Sequence, residues 1–386
     1  MASRLVVILL SIVCFTLSAY WAAGEWLLDT GKPEDVRRAT RMMPWNADAW
    51  RLMPQVDPEH ATDHWRHVLK LAPRDVEARL ALAIDAELAG RPKQAEALLL
   101  EASQLHKGYL PAWTLANFYL RQDNPEQFWR WARRAATFEV DLTALFELCL
   151  RLRLDPAALA QELGLQRSAA FEQLLTAAAK SDLLETALPI ATRVAHLRTP
   201  AARDQLLWDT DQLLKQGQTR TARAYWNLVA KEGLLPYLAP TQENGDSAGL
   251  VNTDFAHASL ERGFDWRPGS AEVAIAMGHG LRISLYGKQD DTAVLIRQTT
   301  LLEPRHQYEL RYRYRIALPE RANPIRWQVG TALSEPLAAS DWHEESWPFT
   351  AETDASELKL VSIREPGTHR AAGNVEITWV HLARTK

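Results

Sequence analysis

Cysteine is nearly missing from these 386 residues: there are two, Cys14 and Cys149. They stand far apart, one in an apolar run and one in a predicted helix, which excludes a disulfide framework and a cysteine-based metal site. An excess of positive charge is missing too. With 44 Lys and Arg against 48 Asp and Glu the formal net charge is -4, so nothing draws a phosphate backbone and no nucleic-acid partner is expected. No glycine loop for phosphate, no Gly-x-Ser-x-Gly elbow and no His-Glu-x-x-His occurs. Asp341, His343, Glu344 and Glu345 are the one group close enough in sequence to supply an acid and a base, and acidic loops between strands are more often only solvated. No catalytic residue, cofactor or metal is assigned. What the chain does have in quantity is tryptophan, 15 residues. Indoles fill helical cores and also form platforms for ring ligands, so the count alone selects neither.

Residues 5–23 form the one long apolar run, broken by Ser11, Thr16 and Ser18 and preceded by Arg4. A run of roughly 20 residues can just span a bilayer. Two readings stand: an uncleaved anchor flanked by Tyr20, Trp21 and Trp26 at the outer interface, or a signal peptide cleaved after Ala22-Ala23-Gly24. Cys14 lacks the small residue before it that a lipoprotein needs. Either way, positive charge on the N-terminal side places everything after Trp26 outside the cytoplasm.

From there to about residue 235 the period is helical, with a repeat of 34 positions. Ala61, Ala95 and Trp129 form one series, Trp65, Leu99 and Arg133 a second, Val68, Ala102 and Ala136 a third; Arg79 pairs with Trp113, and Ala83 with Asn117. Small residues let two helices of a hairpin approach, and large ones fill the space between hairpins. Gly90 falls in a turn where positive φ is expected. This half resembles the tetratricopeptide family, most clearly over residues 44–140, with about five hairpins; the segments 187–197 and 221–235 read as later second helices. The resemblance implies a solenoid whose groove, through Arg79, Trp113 and Asn117, holds a protein partner, and it implies no chemistry. His60, His64 and His67 lie along one helix face and could bind zinc or copper, or point to solvent beside Ala61, Trp65 and Val68. The i+7 spacing supplies no fourth ligand and no metal is assigned. Arg37, Arg38 and Arg41, with Arg130, Arg133 and Arg134, read as solvated faces.

The period changes across residues 236–267. The predicted domains are a signal anchor or signal peptide at 1–26, the helical repeats at 27–235, a polar linker at 236–249, and 250–386. This last part runs in short alternating segments, AEVAIAM, LRISLYG, AVLIRQTTLL, QYELRYRYRIAL, IRWQVGTAL, ELKLVSI and NVEITWVHLAR, with further strands near 251–255 and 347–350. That pattern predicts an antiparallel β-sandwich of jelly-roll type. By period two, Tyr308, Leu310, Tyr312, Tyr314 and Ile316 share one face, and Arg311, Arg313 and Arg315 the other. Ile325, Trp327, Val329, Leu281, Ile283 and Leu285 go inward. One sheet is thus expected to carry outward Arg311, Arg313, Arg315, Arg326 and Gln328, with Gln298 nearby, a row suited to hydroxyls and to acidic sugars or else an ordinary solvated face. Trp342 and Trp347 are the candidate exposed rings, in preference to Trp327 and Trp379.

Asn252, Asp254 and Phe255 followed by Gly263, Phe264, Asp265, Trp266 and Arg267, then IRQTTLLEPRHQYELRYRYRI and IRWQV, resemble the galactose-binding-like, carbohydrate-binding-module sandwich of bacterial exported tetratricopeptide proteins associated with exopolysaccharide or O-antigen production. The resemblance implies a non-catalytic envelope adaptor. Its repeats would hold a protein of a polysaccharide assembly or export system, its sandwich would contact polysaccharide, and residues 5–23 would sit in the bacterial inner membrane with the bulk in the periplasm. Two other readings stay open: a carbohydrate-binding module held at the membrane by a helical spacer, and an enzyme acting on polysaccharide.

Overall fold

The computed structural model describes residues 2–153, 155–237, 249–269, 272–318 and 325–385. Among them a helical part precedes a part made of antiparallel strands. The polar linker read at 236–249 lies outside the described residues except for Pro236, Tyr237 and Gly249.

The first helix, α1 (Ala2–Asp29), covers the apolar run. The spanning anchor expected over residues 5–23 is not found: among the described residues no helix is long and apolar enough to cross a membrane. The last turns of α1 pack on the helices that follow: Gly24 lies against Met43, the Tyr20 hydroxyl donates to Met42 O at 2.8 Å, and Asn46 donates to Glu25 at 3.1 Å.

α2 (Pro33–Met42) leads into helical hairpins, each held by small residues at the close approach. α3 (Ala47–Val56) pairs with α4 (Ala61–Leu71), α5 (Val76–Leu88) with α6 (Pro92–Leu105), and α7 (Tyr109–Arg121) with α8 (Pro125–Ala135). Caps explain the starts: Asn46, Asp75 and Asn124 each accept a backbone N–H of the following turn. Gly90 adopts φ +69, as its turn position requires. Ala83, Ala95, Leu99 and Ala102 are buried, as the repeat predicts. The third hairpin departs from it. Pro92 and Pro125 open the second helices 33, not 34, positions apart. Phe128, Ala132 and Ala135 therefore take the buried positions, while Trp129 is half-buried and Arg133 faces out to Glu162 at 2.5 Å.

After α9 (Thr143–Leu152) and α10 (Pro156–Glu162) come two more pairs, α11 (Ser168–Lys180) with α12 (Leu188–Ala195) and α13 (Pro200–Lys215) with α14 (Thr219–Lys231). The chain forms two compact units: residues 1–145 with 162–165, and residues 146–161 with 166–386. The later hairpins thus share a unit with the strands.

The strands are β1 (Arg267–Pro268), β2 (Val273–Met277), β3 (Leu281–Tyr286), β4 (Thr292–Leu301), β5 (Gln307–Ala317), β6 (Ile325–Val329), β7 (Ala332–Leu333), β8 (His343–Thr350), β9 (Ala355–Ile363) and β10 (Ala372–Arg384). They form two antiparallel sheets, β1-β4-β9-β6-β7 and β2-β3-β10-β5-β8. The inward residues of both meet in one core: Tyr312 of the second sheet lies 5.8 Å from Trp327 of the first, ring centre to ring centre. Leu281, Ile283, Leu285, Tyr308, Leu310, Tyr312, Tyr314, Ile325, Trp327 and Val329 are buried as alternation predicts. The strand expected at 251–255 is instead an irregular turn, with positive φ at Asn252 and Phe255.

This turn and the residues up to Arg267 join α13 and α14 to the sheets. Trp266 is buried in the sandwich core, 5.2 Å from Phe255 and 6.4 Å from Trp327. Phe264, also buried, faces the hairpin instead, 6.1 Å from Trp226 and under the Arg223 guanidinium at 4.7 Å. Arg223 donates to Gly249 O at 2.6 Å, and burial lowers its pKa to about 10. Asp211 of α13 accepts from Gly263 N at 2.8 Å and from Arg267 at 2.5 Å. Gly263 is obligatory here, since its φ is +55 and a Cβ would enter the Trp226 ring.

Candidate functional site

The outer face of the β2-β3-β10-β5-β8 sheet carries a row of arginines with exposed Trp342 beside it. Strand alternation turns Arg311, Arg313 and Arg315 of β5 outward, since Tyr308, Leu310, Tyr312 and Tyr314 fill the core. β8 runs beside them, with Ser346 across from Arg311 and Glu344 across from Arg313. On the other side β10 sets His381 across from Arg311, Trp379 across from Arg313 and Glu376 across from Arg315.

Trp379 reaches this face through a β-bulge. Val375 and Ile377 point inward, and strict alternation would send Trp379 after them; the register instead slips between Ile377 and Trp379, so that Val380 and Leu382 become the buried residues. Gly280 makes the slip possible. It sits at φ +95 where a Cβ would lie 2.9 Å from Ile377 O and 3.3 Å from Thr378 Cα. Beyond the bulge β10 has left β3 behind, and Val380 N donates to Thr253 O at 2.8 Å. Trp379 is half-buried and its ring lies 4.9 Å from that of His381.

Trp342, 39 % exposed, precedes β8 and lies over the row: the guanidinium carbons of Arg315 and Arg313 are 4.7 and 5.6 Å from its ring centre. Arg315 is held by Glu376 at 2.5 Å, with Arg282 on the same carboxylate at 3.6 Å, and Arg311 is held by Glu309 at 2.7 Å. Arg313 alone of these four has no acid partner among the described residues.

The remaining residues read from the sequence fall elsewhere. Arg326 and Gln328 do not join the row, because β6 belongs to the other sheet and so faces the opposite side of the sandwich. There Arg326 donates to Ser334 O at 3.1 Å and Gln328 to Gly330 O at 3.1 Å. Gln298 is buried and exchanges two hydrogen bonds with the Val251 backbone, at 2.9 and 3.1 Å. Trp347 is half-buried, stacked on Phe349 at 4.8 Å against the core. Glu344 and Glu345 do not flank one bond: Glu345 accepts from the Tyr314 hydroxyl at 3.0 Å on the inner side, and its neighbour in the strand points the other way. Trp379 is the residue that sequence reasoning missed, because a bulge leaves composition and spacing unchanged.

In the helical part, Trp113 and Asn117 occupy successive turns of α7 and Arg79 lies on α5. The Arg79 guanidinium is occupied within its own hairpin, by Asp75 O at 3.0 Å, Pro73 O at 2.5 Å and Glu101 at 3.3 Å. Asn117 donates to Trp113 O at 2.9 Å, and Trp113 stacks on Tyr109 at 6.2 Å. Free apolar surface is found instead at Ile84, Leu110 and above all Leu88, 83 % exposed. Arg121 bonds Glu87 at 2.7 Å, which sets α7 beside α5. The three histidines divide: His60 and His64 share Asp57 at 3.1 and 3.2 Å, and the His67 ring lies 4.1 Å from Trp50.

No family model matches this chain, and no curated protein matches it by sequence. Among solved structures, PilF of Pseudomonas aeruginosa is similar at 19 % identity over 47 % of this chain and 90 % of that one, with a TM-score of 0.32. PilW, a type IV pilus biogenesis factor, is similar at 15 % identity over 52 % of this chain and 94 % of that one, at 0.33. A CBM4 carbohydrate-binding module is similar at 11 % identity over 36 % of this chain and 100 % of that one, at 0.27. With scores this low, the functional reading rests on the chain's own residues.

Proposed function

We propose that this chain is a non-catalytic binding protein, in which the outer face of the β2-β3-β10-β5-β8 sheet recognises glycan and the helical hairpins hold a protein partner, as an adaptor in polysaccharide assembly or export. The observation that carries the reading is the bulge at Thr378, which turns Trp379 outward on one side of Arg313 while Trp342 lies on the other. An indole offers an apolar face to the C–H side of a sugar ring, and guanidinium groups donate to its oxygens. We take the sandwich to be of jelly-roll type, a shape that leaves such a sheet face open.

The test is affinity electrophoresis of the full-length chain through gels containing surface polysaccharide. Retardation that Trp379→Ala and Trp342→Ala both relieve supports the reading; retardation unchanged in both variants refutes this face as the site. Ile84 and Leu88 favour a docked partner over a plain spacer, because a spacer has no use for large apolar side chains left in water. Crosslinking in cells should capture one partner with the wild type and lose it with Leu88→Glu, and an unchanged crosslink would favour the spacer. The same proposal places the chain outside the cytoplasm, with residues 5–23 as its export signal. Fractionation and N-terminal sequencing of the mature protein check this, and a cytoplasmic chain would refute it.

A further inference from the structure

Resting on the glycan reading above, we infer that the ligand of this face is an anionic, carboxylate-bearing glycan and that Arg313 is the group that binds its acid. Among the described residues four arginines stand on the outer face, and three are already neutralised. Glu376 takes Arg315 at 2.5 Å and Arg282 at 3.6 Å, and Glu309 takes Arg311 at 2.7 Å. Arg313 is engaged by the Trp342 ring at 5.6 Å and by no acid among the described residues.

A guanidinium has donors and no acceptor, and its planar fork matches the two oxygens of a carboxylate. A neutral sugar hydroxyl wants both a donor and an acceptor, and Arg313 supplies only the first. The indoles of Trp342 and Trp379 on either side shield those donors from water, and an ionic hydrogen bond gains strength where water is displaced. The charged and titratable neighbours of Arg313 are few. On its own strand are Arg311 and Arg315, each with its acid; on β10 are Glu376, already shared by two arginines, and His381 across from Arg311; on β8 is Glu344, directly across from Arg313 and in no ion pair among the described residues, and Asp341 precedes Trp342. Glu344 is thus an acid placed directly across from the position where a ligand carboxylate would lie. It opposes binding, which raises selectivity for ligands able to form both bonds of the fork.

The experiment measures binding of the full-length chain to polygalacturonate and alginate, beside the same polymers after carboxyl reduction. The inference predicts binding to the acidic polymers, weakened by rising salt, and lost when the carboxyls are reduced. Arg313→Ala should weaken it by about ten- to a hundredfold. Arg313→Lys should restore part of that loss, and Glu344→Gln should tighten binding. Circular dichroism and melting temperature should not move in these variants, since both side chains lie on the outer face. Equal binding before and after reduction overturns the acid inference and leaves the glycan reading standing. Acid-dependent binding indifferent to Arg313→Ala overturns the assignment to Arg313. Binding to no polymer in either form, by a chain folded by both measures, overturns both.

Discussion

Asp209 lies in α13 with 1 % of its surface exposed, and among the described residues no group donates to either carboxylate oxygen. Burial disfavours the charged form and pushes its pKa up to about 8, far above the ordinary carboxylate range. The folded state therefore holds a proton that the unfolded chain releases near pH 4. Stability from this group is fully present below about pH 4 and is lost as pH rises through about 8. Asp209→Asn keeps the shape and removes the titration. It should raise the melting temperature at pH 8 by several degrees, on a scale of about 2–4 °C per kcal/mol, and flatten the pH dependence between 4 and 8. A melt series over that range checks it, and a slope that survives the substitution would place the titration elsewhere. Burial acts likewise on Cys149, whose thiol is pushed up to about 12, so it should resist thiolate-directed reagents in the native state.

At the scale of elements, periodicity carried most of the fold. The hairpins over 76–121 and the inward faces of β3, β5 and β6 follow from the residues Ala83, Leu99, Ile283, Tyr312 and Trp327 alone. Two one-residue shifts did not follow. The connection before α7, residues 106–108, is one position shorter than its counterpart before α5, residues 72–75, which moves the buried stripe of α8 to Phe128; the bulge at Thr378 moves Trp379 from core to surface. Both shifts change phase while leaving composition intact, and a pattern read over a window of many residues averages them away. Sheet membership of β6 was equally hidden, because alternation says which side chains share a face of a strand and not which strands are neighbours. The α8 phase is testable: Phe128→Ala should cost about 3–5 kcal/mol, as for a buried aromatic, and Trp129→Ala clearly less, by chemical denaturation. The bulge is testable at its brace. Gly280→Val must push Ile377 O away and strain φ, so it should abolish glycan retardation and change the near-ultraviolet signal of tryptophan while the helical signal stays.

At the scale of the molecule, the second unit joins helical hairpins and strands through Phe264, Arg223 and the Asp211–Arg267 pair. A fragment of residues 199–385 should accordingly melt in one transition and at higher temperature than residues 250–385, which would leave Phe264 without Trp226; equal melting temperatures would show the seam to be energetically idle.

This seam has a mechanical consequence. Pairing at Asp211 and the ring contact at Phe264 grip the chain within the stretch 263–267, immediately before β1, so a pull applied to the sheets is borne by α13 and α14 across several contacts at once. A ligand held on the outer sheet, as proposed above, would load that joint in shear, and the hairpin would be the part that takes up the tension.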